Sequence, residues 1–595
     1  MAKKKNNVLL IGLILILVLA IGLSYGYYLL SKVQENNNVV GSKCFNLELA
    51  SEENNINLNN MYPISDEEGK SLTPYTFTLK NTCDMTASYT LSMEMLEETT
   101  LNSKYVDVMV NNGEIKLLTS YDEANTVLTG STESRILDKG LLASNTSKDY
   151  NIRFWMDKDV TLANDSQNKI FKSKLIVNAE AIETISDKII AQLDTDGKCP
   201  IVNEDGSMNV TDVEATDGYL CKAKDAYGDS YYYRGNVTNN YVKFADKYWR
   251  IVRINGDGSI RMIYDGTSAH ENGEASDDRI IGKSAFNEKY DDNAYVGYMY
   301  GYNDSIIEST EYISSIYFTN TNNYYIAKEY TFDESSKRFT LKDPIKILGC
   351  DITSDYVGYY FTSDPTSPAL SVNSLRKIMN ITVKDNNIII YFGSVINGAS
   401  SKEITQTNMN DSAIKKYLDT WYENNIKGTK YEKYLADNLF CNDRSFDSGN
   451  KGTGTNNSET YYRWNNYFAY RNTTLNCYQQ NDAFTVNDTK NGNGNLTYPI
   501  GLITTDEAVL AGGLYENSNY YLYSGLNYWT STAFVYNGGA YEKIIGSDGN
   551  SFMTGSHAVV EATSVGVRPV LSLSLDALKL GSGTMDDPFV VDTNN

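Results

Sequence analysis

The stretch YTLSMEM at residues 89–95 puts Tyr89, Leu91, Met93 and Met95 at every second position. Successive side chains of a pleated backbone point to opposite sides, so this is a strand with one face in a core. The same alternation recurs at Tyr75, Phe77 and Leu79; at Val106, Val108 and Val110; at Tyr150, Ile152, Phe154 and Met156; and at Leu175, Val177, Ala179 and Ala181. Turn signals such as Asn111-Asn112-Gly113 and Asp138-Lys139-Gly140 fall between the runs, and no comparable helical stretch interrupts them. Residues 44–182 are therefore expected to form an antiparallel β-sandwich.

Composition carries the mainly β expectation to the whole chain. Tyrosine (48) far exceeds phenylalanine (18) and proline (9) is scarce, while asparagine and glycine crowd between short apolar stretches. A chain of 595 residues exceeds a single core, since cores stop growing at about 250–300 residues. The net charge of −23 makes nucleic acid an unsuitable partner, because binding a phosphate backbone needs clustered Lys and Arg.

Lys3, Lys4 and Lys5 precede an uncharged run from Val8 to Leu30. As a helix it reaches about 34 Å, enough for a hydrocarbon core of about 30 Å. Lysines before the run place the N-terminus in the cytoplasm, so residues 1–31 read as a cytoplasmic tip and transmembrane signal-anchor, with the bulk of the chain extracellular at the cell surface. The competing reading is a cleaved signal peptide, with small residues at Ala20-Ile21-Gly22 and Ser24-Tyr25-Gly26.

None of the seven cysteines forms a C-x-x-C, and with His270 and His557 as the two histidines no zinc ligand set emerges. Outside a cell, local pairing would join Cys44 with Cys83, Cys199 with Cys221 and Cys441 with Cys477, leaving Cys350 single. Asp194-Thr195-Asp196-Gly197 and Asn203-Glu204-Asp205-Gly206 read as turns, because neither continues as a calcium loop. Both histidines sit in polar surface loops, no phosphate-binding loop or dinucleotide fingerprint is found, and no cofactor is implied. No catalytic residue is assigned; paired carboxylates of a surface hydrolase remain the one enzyme alternative.

From residue 183 the chain changes to aromatic clusters and long Asn-Gly-Asp loops. YVKFADKYWRIVRI (241–254) and SIRMIYDG (259–266) flank a tight turn at 255–258 and read as a hairpin. In NDSAIKKYLDTWYENNI, Ile414, Tyr417, Leu418, Trp421 and Tyr422 form one helical stripe behind Asn410 or Asp411 as cap. In ITTDEAVLAGG, Thr504 or Thr505 caps, Asp506 and Glu507 complement the helix dipole, and Gly512-Gly513 ends the helix. LNYWTSTAFVYNGG, SVGVRPVLSLSL and a closing edge strand in GSGTMDDPFVV complete an α+β domain over 183–595, interrupted by an inserted β-subdomain at about 302–404.

The segment NMYPISDEEGKSLTPYTFTLKNTC (60–83) resembles the β-sandwich domains of Gram-positive surface proteins of the TasA and camelysin type. The order of hairpin, two short helices, Y-W-T-S-T and G-V-R-P-V resembles the C-type-lectin-like fold of bacterial surface proteins, shared with sulfatase-modifying factors. The C-terminal cysteine pair of formylglycine-generating enzymes is missing, and so are E-P-N, Q-P-D and W-N-D of calcium-dependent lectins. What the resemblance implies is a scaffold presenting loops, hence a membrane-tethered adhesin or binding protein for an extracellular protein or glycan, with a matrix or fibre subunit as the alternative.

Three residues are expected to be structural: Trp529, Glu507, and Arg568, whose guanidinium in an apolar strand needs a carboxylate partner, Glu507 or Asp506 first. The recognition surface is expected between Tyr528 and His557. There Tyr536, Asn537, Tyr541, Asp548, Asn550 and His557 alternate with apolar residues in glycine-rich turns.

Overall fold

The computed structural model describes residues 63–125, 127, 130–160, 171–194, 197–210, 217–301, 404–445, 473–513, 516–536, 539–550 and 557–593. For residues 27–30, 39–40, 45–49 and the strands between 307 and 394, among a few other positions, it describes the backbone alone. Residues 1–26 lie outside the described part, so the expected membrane helix does too. Its last four residues do not: Tyr27–Leu30 is a strand (β1) paired in parallel with Ile170–Ala181, which shortens the expected helix at a tyrosine-bearing end suited to a strand. No helix among the described residues is long and apolar enough to cross a membrane.

The structure is mainly β, with antiparallel pairing predominant. In the first module β1, β2 (Val39–Val40), β5 (Ala87–Leu96), β8 (Ser131–Leu142) and β10 (Ile170–Ala181) make one sheet. β3 (Phe45–Leu49), β4 (Tyr75–Asn81), β6 (Val106–Val110), β7 (Ile115–Leu117) and β9 (Ser147–Met156) make the other. Leu91 and Met93 of β5 and Val177 of β10 share one core with Leu79 of β4, Val106 and Val108 of β6, and Ile152 and Phe154 of β9. The period-2 residues of both sheets thus meet face to face, the geometry of a sandwich. Helix α1 (Asp66–Lys70), with a capping box between Ser65 and Glu68, closes one side. Gly69 there lies so near the Trp155 ring that a Cβ would stand 2.4 Å from it.

Asp138-Lys139-Gly140 is not a turn. It lies within β8, where Gly140 faces Tyr89, whose hydroxyl would meet a Cβ at 3.2 Å. The glycine marks a close cross-strand approach instead of a reversal.

Asp107, on β6 and 4% exposed, has its carboxyl pushed up to about 7 from the ordinary 3.8, first by burial and then by a hydrogen bond and repulsion shared with Asp157. Between these values the folded sandwich holds a proton that the unfolded chain has released. Stability from this group is therefore complete below about pH 3.8 and is lost as pH rises through about 7. Urea titrations of the full chain should show the sandwich transition falling across that window by at most about 1.4 kcal/mol per pH unit, and Asp107→Asn should flatten it.

Helix α2 (Ile185–Ile190) leaves the sandwich and sinks Ile185 and Ile189 into a second, larger core. That head module is built on a sheet in which β12 (Tyr219–Asp225), β13 (Gly228–Arg234), β15 (Lys247–Ile254) and β14 (Tyr241–Phe244) lie in order. β11 (Met208–Asn209) precedes them and pairs with Asn472–Thr473. On the other side of β15, β16 (Ile260–Gly266) pairs with a C-terminal strand, Val570–Leu573. The predicted hairpin is present, but from Trp249 to Ile254 β15 is buried at every position and carries register shifts at Tyr248/Trp249 and Ile251/Arg253. A bulged strand covered on both faces has no clean alternation to read.

Helix α3 (Ala413–Asn425) buries Ile414, Leu418 and Tyr422, with Tyr417 and Trp421 at its edge; Ser412 caps it, not Asn410 or Asp411. Helix α4 (Thr505–Leu510) starts on a Thr504–Glu507 capping box. The C-terminal strands are β17 (Tyr528–Tyr536), β18 (Ala540–Ile545), β19 (His557–Val559), β20 (Val570–Leu573), β21 (Leu578–Leu580) and β22 (Phe589–Val591). The expected closing edge strand is internal: β22 lies between β14 and β21, and β21 is the edge. In the 302–404 insertion, expected to be a β-subdomain, 329–333 pairs with 338–342 and 376–384 with 387–394 as antiparallel hairpins.

Candidate functional site

The head buries its cations. Arg568 is fully enclosed and paired with a carboxylate, but the carboxylate is Asp265, at 2.9 Å, and neither Glu507 nor Asp506. β16 and β20 are neighbours, so Asp265 near the end of one lies beside Arg568, two residues before the other. That pairing spans about three hundred residues of sequence, which local spacing could not reveal. Asp265 also takes Arg279 at 2.7 Å and stands 3.9 Å from Arg250, and carbonyls of Tyr264 and Leu522 receive the remaining Arg568 donors. Glu507 instead holds Arg261 at 2.6 Å and Arg253 at 3.1 Å, while Arg253 also reaches Asp225. Burial pushes the Glu507 carboxyl up, but these guanidinia outweigh it and keep the group below its ordinary 4.5. Trp529 is fully buried, its indole N–H donated to the Ser284 carbonyl at 2.8 Å.

The recognition face expected between Tyr528 and His557 is not assembled as read. Tyr536 is buried, donating its hydroxyl to the Asp291 carbonyl at 2.9 Å, and Asn550 is 4% exposed inside the turn closed by Gly546. Asn537 lies outside the described residues. Asp548 is exposed as the acceptor of that turn, and Tyr541 and His557 are half-buried, the His557 imidazole lying 4.5 Å from the Phe534 ring and 5.5 Å from the Tyr541 ring. The reason is that β18 is buried on both sides: Glu542 faces one way and Lys543 the other, and both are enclosed. Desolvation holds the Glu542 carboxyl far above its ordinary range and brings the Lys543 ammonium down to about 7.

A polar cleft of about 440 Å³ opens on the head. Gln192, Asp194, Gly218 and Tyr219 form one wall, Asn236, Val237, Thr238 and Asn239 the other, with Leu220 and Tyr233 between. Each wall is fixed from behind. The first follows α2 and is tied down by the Cys199–Cys221 disulfide; Asp194 N–H bonds the Leu220 carbonyl at 3.0 Å and its carboxylate accepts the Lys198 N–H at 3.1 Å.

The second wall begins where Arg234 donates to the Val509 and Leu510 carbonyls at the C-terminal end of α4, where the helix dipole favours a cation. Gly235 then turns the chain at φ 83°. Arg250, held in the Asp265 cluster, donates to the Val237 carbonyl at 2.7 Å and to Asn272, which itself reaches Asn236 at 2.7 Å. The walls approach where Gly218 faces Asn236, whose carbonyl oxygen would lie 2.7 Å from a Cβ. Across the opening the Asn239 amide donates to Gln192 at 2.7 Å.

The buried ion pairs therefore set the backbone, while Asn236, its carboxamide oxygen accepting from Asn272, and Thr238 stay exposed. Carboxamides and hydroxyls both donate and accept, so this lining matches a neutral polar ligand. None of the residues expected in the recognition face lines the cleft. Asp194 reads in sequence as part of a turn, and Asn-Val-Thr-Asn at 236–239 as a polar loop like any other.

His270 is not a surface residue: it is 4% exposed, with Glu274 at 2.9 Å on Nδ1 and Asp278 at 3.1 Å on Nε2. Ser268 Oγ stands 3.5 Å from Nε2, but Asp278 takes that nitrogen and accepts the serine hydroxyl at 3.1 Å. Asp278, also bonded by Thr267, is drawn down to about 2: burial pushes it up, and these hydrogen bonds overcome that. The cluster straps a loop and leaves the serine without a free base. No group of His, Cys, Asp and Glu among the described residues could hold a metal ion. Cys441 and Cys477 are joined, and Cys83 is disulfide-bonded while Cys44 and Cys350 lie outside the described residues. No protein-family model, curated protein or solved structure matches this chain.

Proposed function

We propose that the chain is a membrane-anchored extracellular binding protein, in which the sandwich carries a C-type-lectin-like head that takes a glycan or protein ligand at the Gln192–Asn239 cleft. The cleft carries this reading: a fixed backbone with exposed carboxamides and hydroxyls is a binding surface, and no nucleophile with an available base lines it. The lysines before the apolar run support an outside location for everything beyond it.

The test is binding of the detergent-solubilised full chain to glycan and protein arrays. Asn236→Ala with Thr238→Val should weaken the array-selected interaction at least about tenfold, about 1.4 kcal/mol, with the head's melting temperature unchanged. Unaltered affinity in this variant would remove the cleft from the account.

A further inference from the structure

We propose, resting on the reading of the Gln192–Asn239 cleft as the ligand site, that its occupant is an uncharged sugar ring and that Asp194 is the residue that excludes sugars bearing a carboxylate. The cleft holds about 440 Å³ and is bridged across its opening by the Asn239–Gln192 bond. Pockets of about 300–1,000 Å³ take small ligands, whereas a folded partner needs a broad face of about 20–30 residues a side. One ring or a short saccharide therefore fits better than a protein surface.

The donors and acceptors left on the second wall define the ligand. Asn236 uses its carboxamide oxygen to accept from Asn272 at 2.7 Å, so its amide nitrogen remains as a donor. Asn239 is the reverse: its nitrogen donates to Gln192 at 2.7 Å, and its oxygen remains as an acceptor. Thr238 lies between them in sequence and is exposed, with a hydroxyl that can do both. Neighbouring positions thus offer a donor, a hydroxyl and an acceptor, and sugar hydroxyls, each able to donate and accept, satisfy all three. On the first wall the half-buried Tyr219, its hydroxyl donated to the Asp217 carboxylate at 3.0 Å, adds aromatic surface for the C–H groups of a ring.

Charge decides which sugar. Asp194 is the one carboxylate among the described residues lining the cleft, and no lysine, arginine or histidine is among them. It accepts the Lys198 N–H at 3.1 Å, and a carboxylate has about four lone-pair sites, which leaves capacity for ligand hydroxyls. Beside Gly218 of the same wall, exposed Asp217 adds a second negative charge, while the Lys198 ammonium lies 5.0 Å from the centre of the Tyr219 ring. Two carboxylates against one ammonium leave this end of the cleft negative, in a chain of net charge −23. An acidic sugar would bring like charge towards Asp194 and, at its carboxylate, no donor for it.

The probes are glucose, galactose and mannose glycosides and the same three with C6 oxidised to a carboxylate, each titrated into the full chain in detergent at physiological salt. At least one neutral glycoside should bind saturably, about tenfold or more tighter than its acid counterpart. Asp194→Asn should close that gap to about threefold or less by strengthening binding of the acid, a gain that misfolding cannot produce. Glu561→Gln, removing one charge from an exposed position elsewhere, should leave the gap as it is. Acid forms bound as well as neutral ones, a gap that Asp194→Asn leaves intact, or an equal closing by Glu561→Gln would each overturn the proposal. A protein ligand lost on Asn236→Ala with Thr238→Val, with no glycoside bound, would overturn the sugar assignment and keep the cleft as a binding site. A ligand indifferent to that pair would remove the cleft itself.

Discussion

Replacing Asp265 with asparagine is expected to cost the head about 3–5 kcal/mol, because it strands buried guanidinia whose carboxylate is gone. Arg279 and Arg568 both take their ion pair from this one side chain, and Arg250 faces it as well. What remains for them is carbonyl oxygen and ring faces, such as Tyr241 at 3.8 Å from Arg250 and Tyr528 at 4.8 Å from Arg568. Against a typical domain stability of about 5–15 kcal/mol such a loss is a large fraction, and calorimetry should show the head transition lowered by about 4–10 °C. Arg568→Met should cost less, since Asp265 keeps Arg279. A head transition that moved by only a degree in Asp265→Asn would show that the cluster does not hold the module together.

Glu507→Gln is expected to be nearly as damaging, by about 3 kcal/mol. Arg253 would keep Asp225, but Arg261 would be left with the Leu439 and Leu502 carbonyls and the Phe440 ring. The pH dependence should change with it. Because the Glu507 carboxyl lies below its ordinary 4.5 in the folded head, its contribution is present above that pH and is lost as pH falls through the depressed value. Acid titration of the wild-type head, followed by tryptophan fluorescence, should therefore show a loss of stability below about pH 4.5 that is smaller in Glu507→Gln. Identical acid profiles would remove Glu507 from the account of stability.

The sandwich was readable because its strands bury one face each, so Tyr89, Leu91, Met93 and Met95 announce their orientation. The head was readable at its helices, where the caps at Thr504 and Glu507 and the stripe from Ile414 to Tyr422 are local signals. Its strands were not. β15 and β18 are covered on both sides, and even Glu542 and Lys543 of β18 are interior, so polarity does not mark a surface there. Tyr536 and Asn550, expected in the recognition face, are buried.

Arg568 illustrates the boundary between local and distant information. A charge in an apolar strand announces that it needs a partner, but the register of β16 against β20 decides that the partner is Asp265. The cleft lies beyond that boundary, since Gln192 and Asn239 meet through the docking of α2 and the turn after β13, and neither residue type is unusual in a loop.

Hydrogen exchange of the full chain, with and without the ligand its arrays select, tests most directly whether the head binds at the Gln192–Asn239 cleft. The account predicts slowed exchange at 192–194, 218–220 and 236–239, with 539–550 and 557–559 unchanged. Protection confined to 539–550 and 557–559, with the cleft segments exchanging as before, would contradict it.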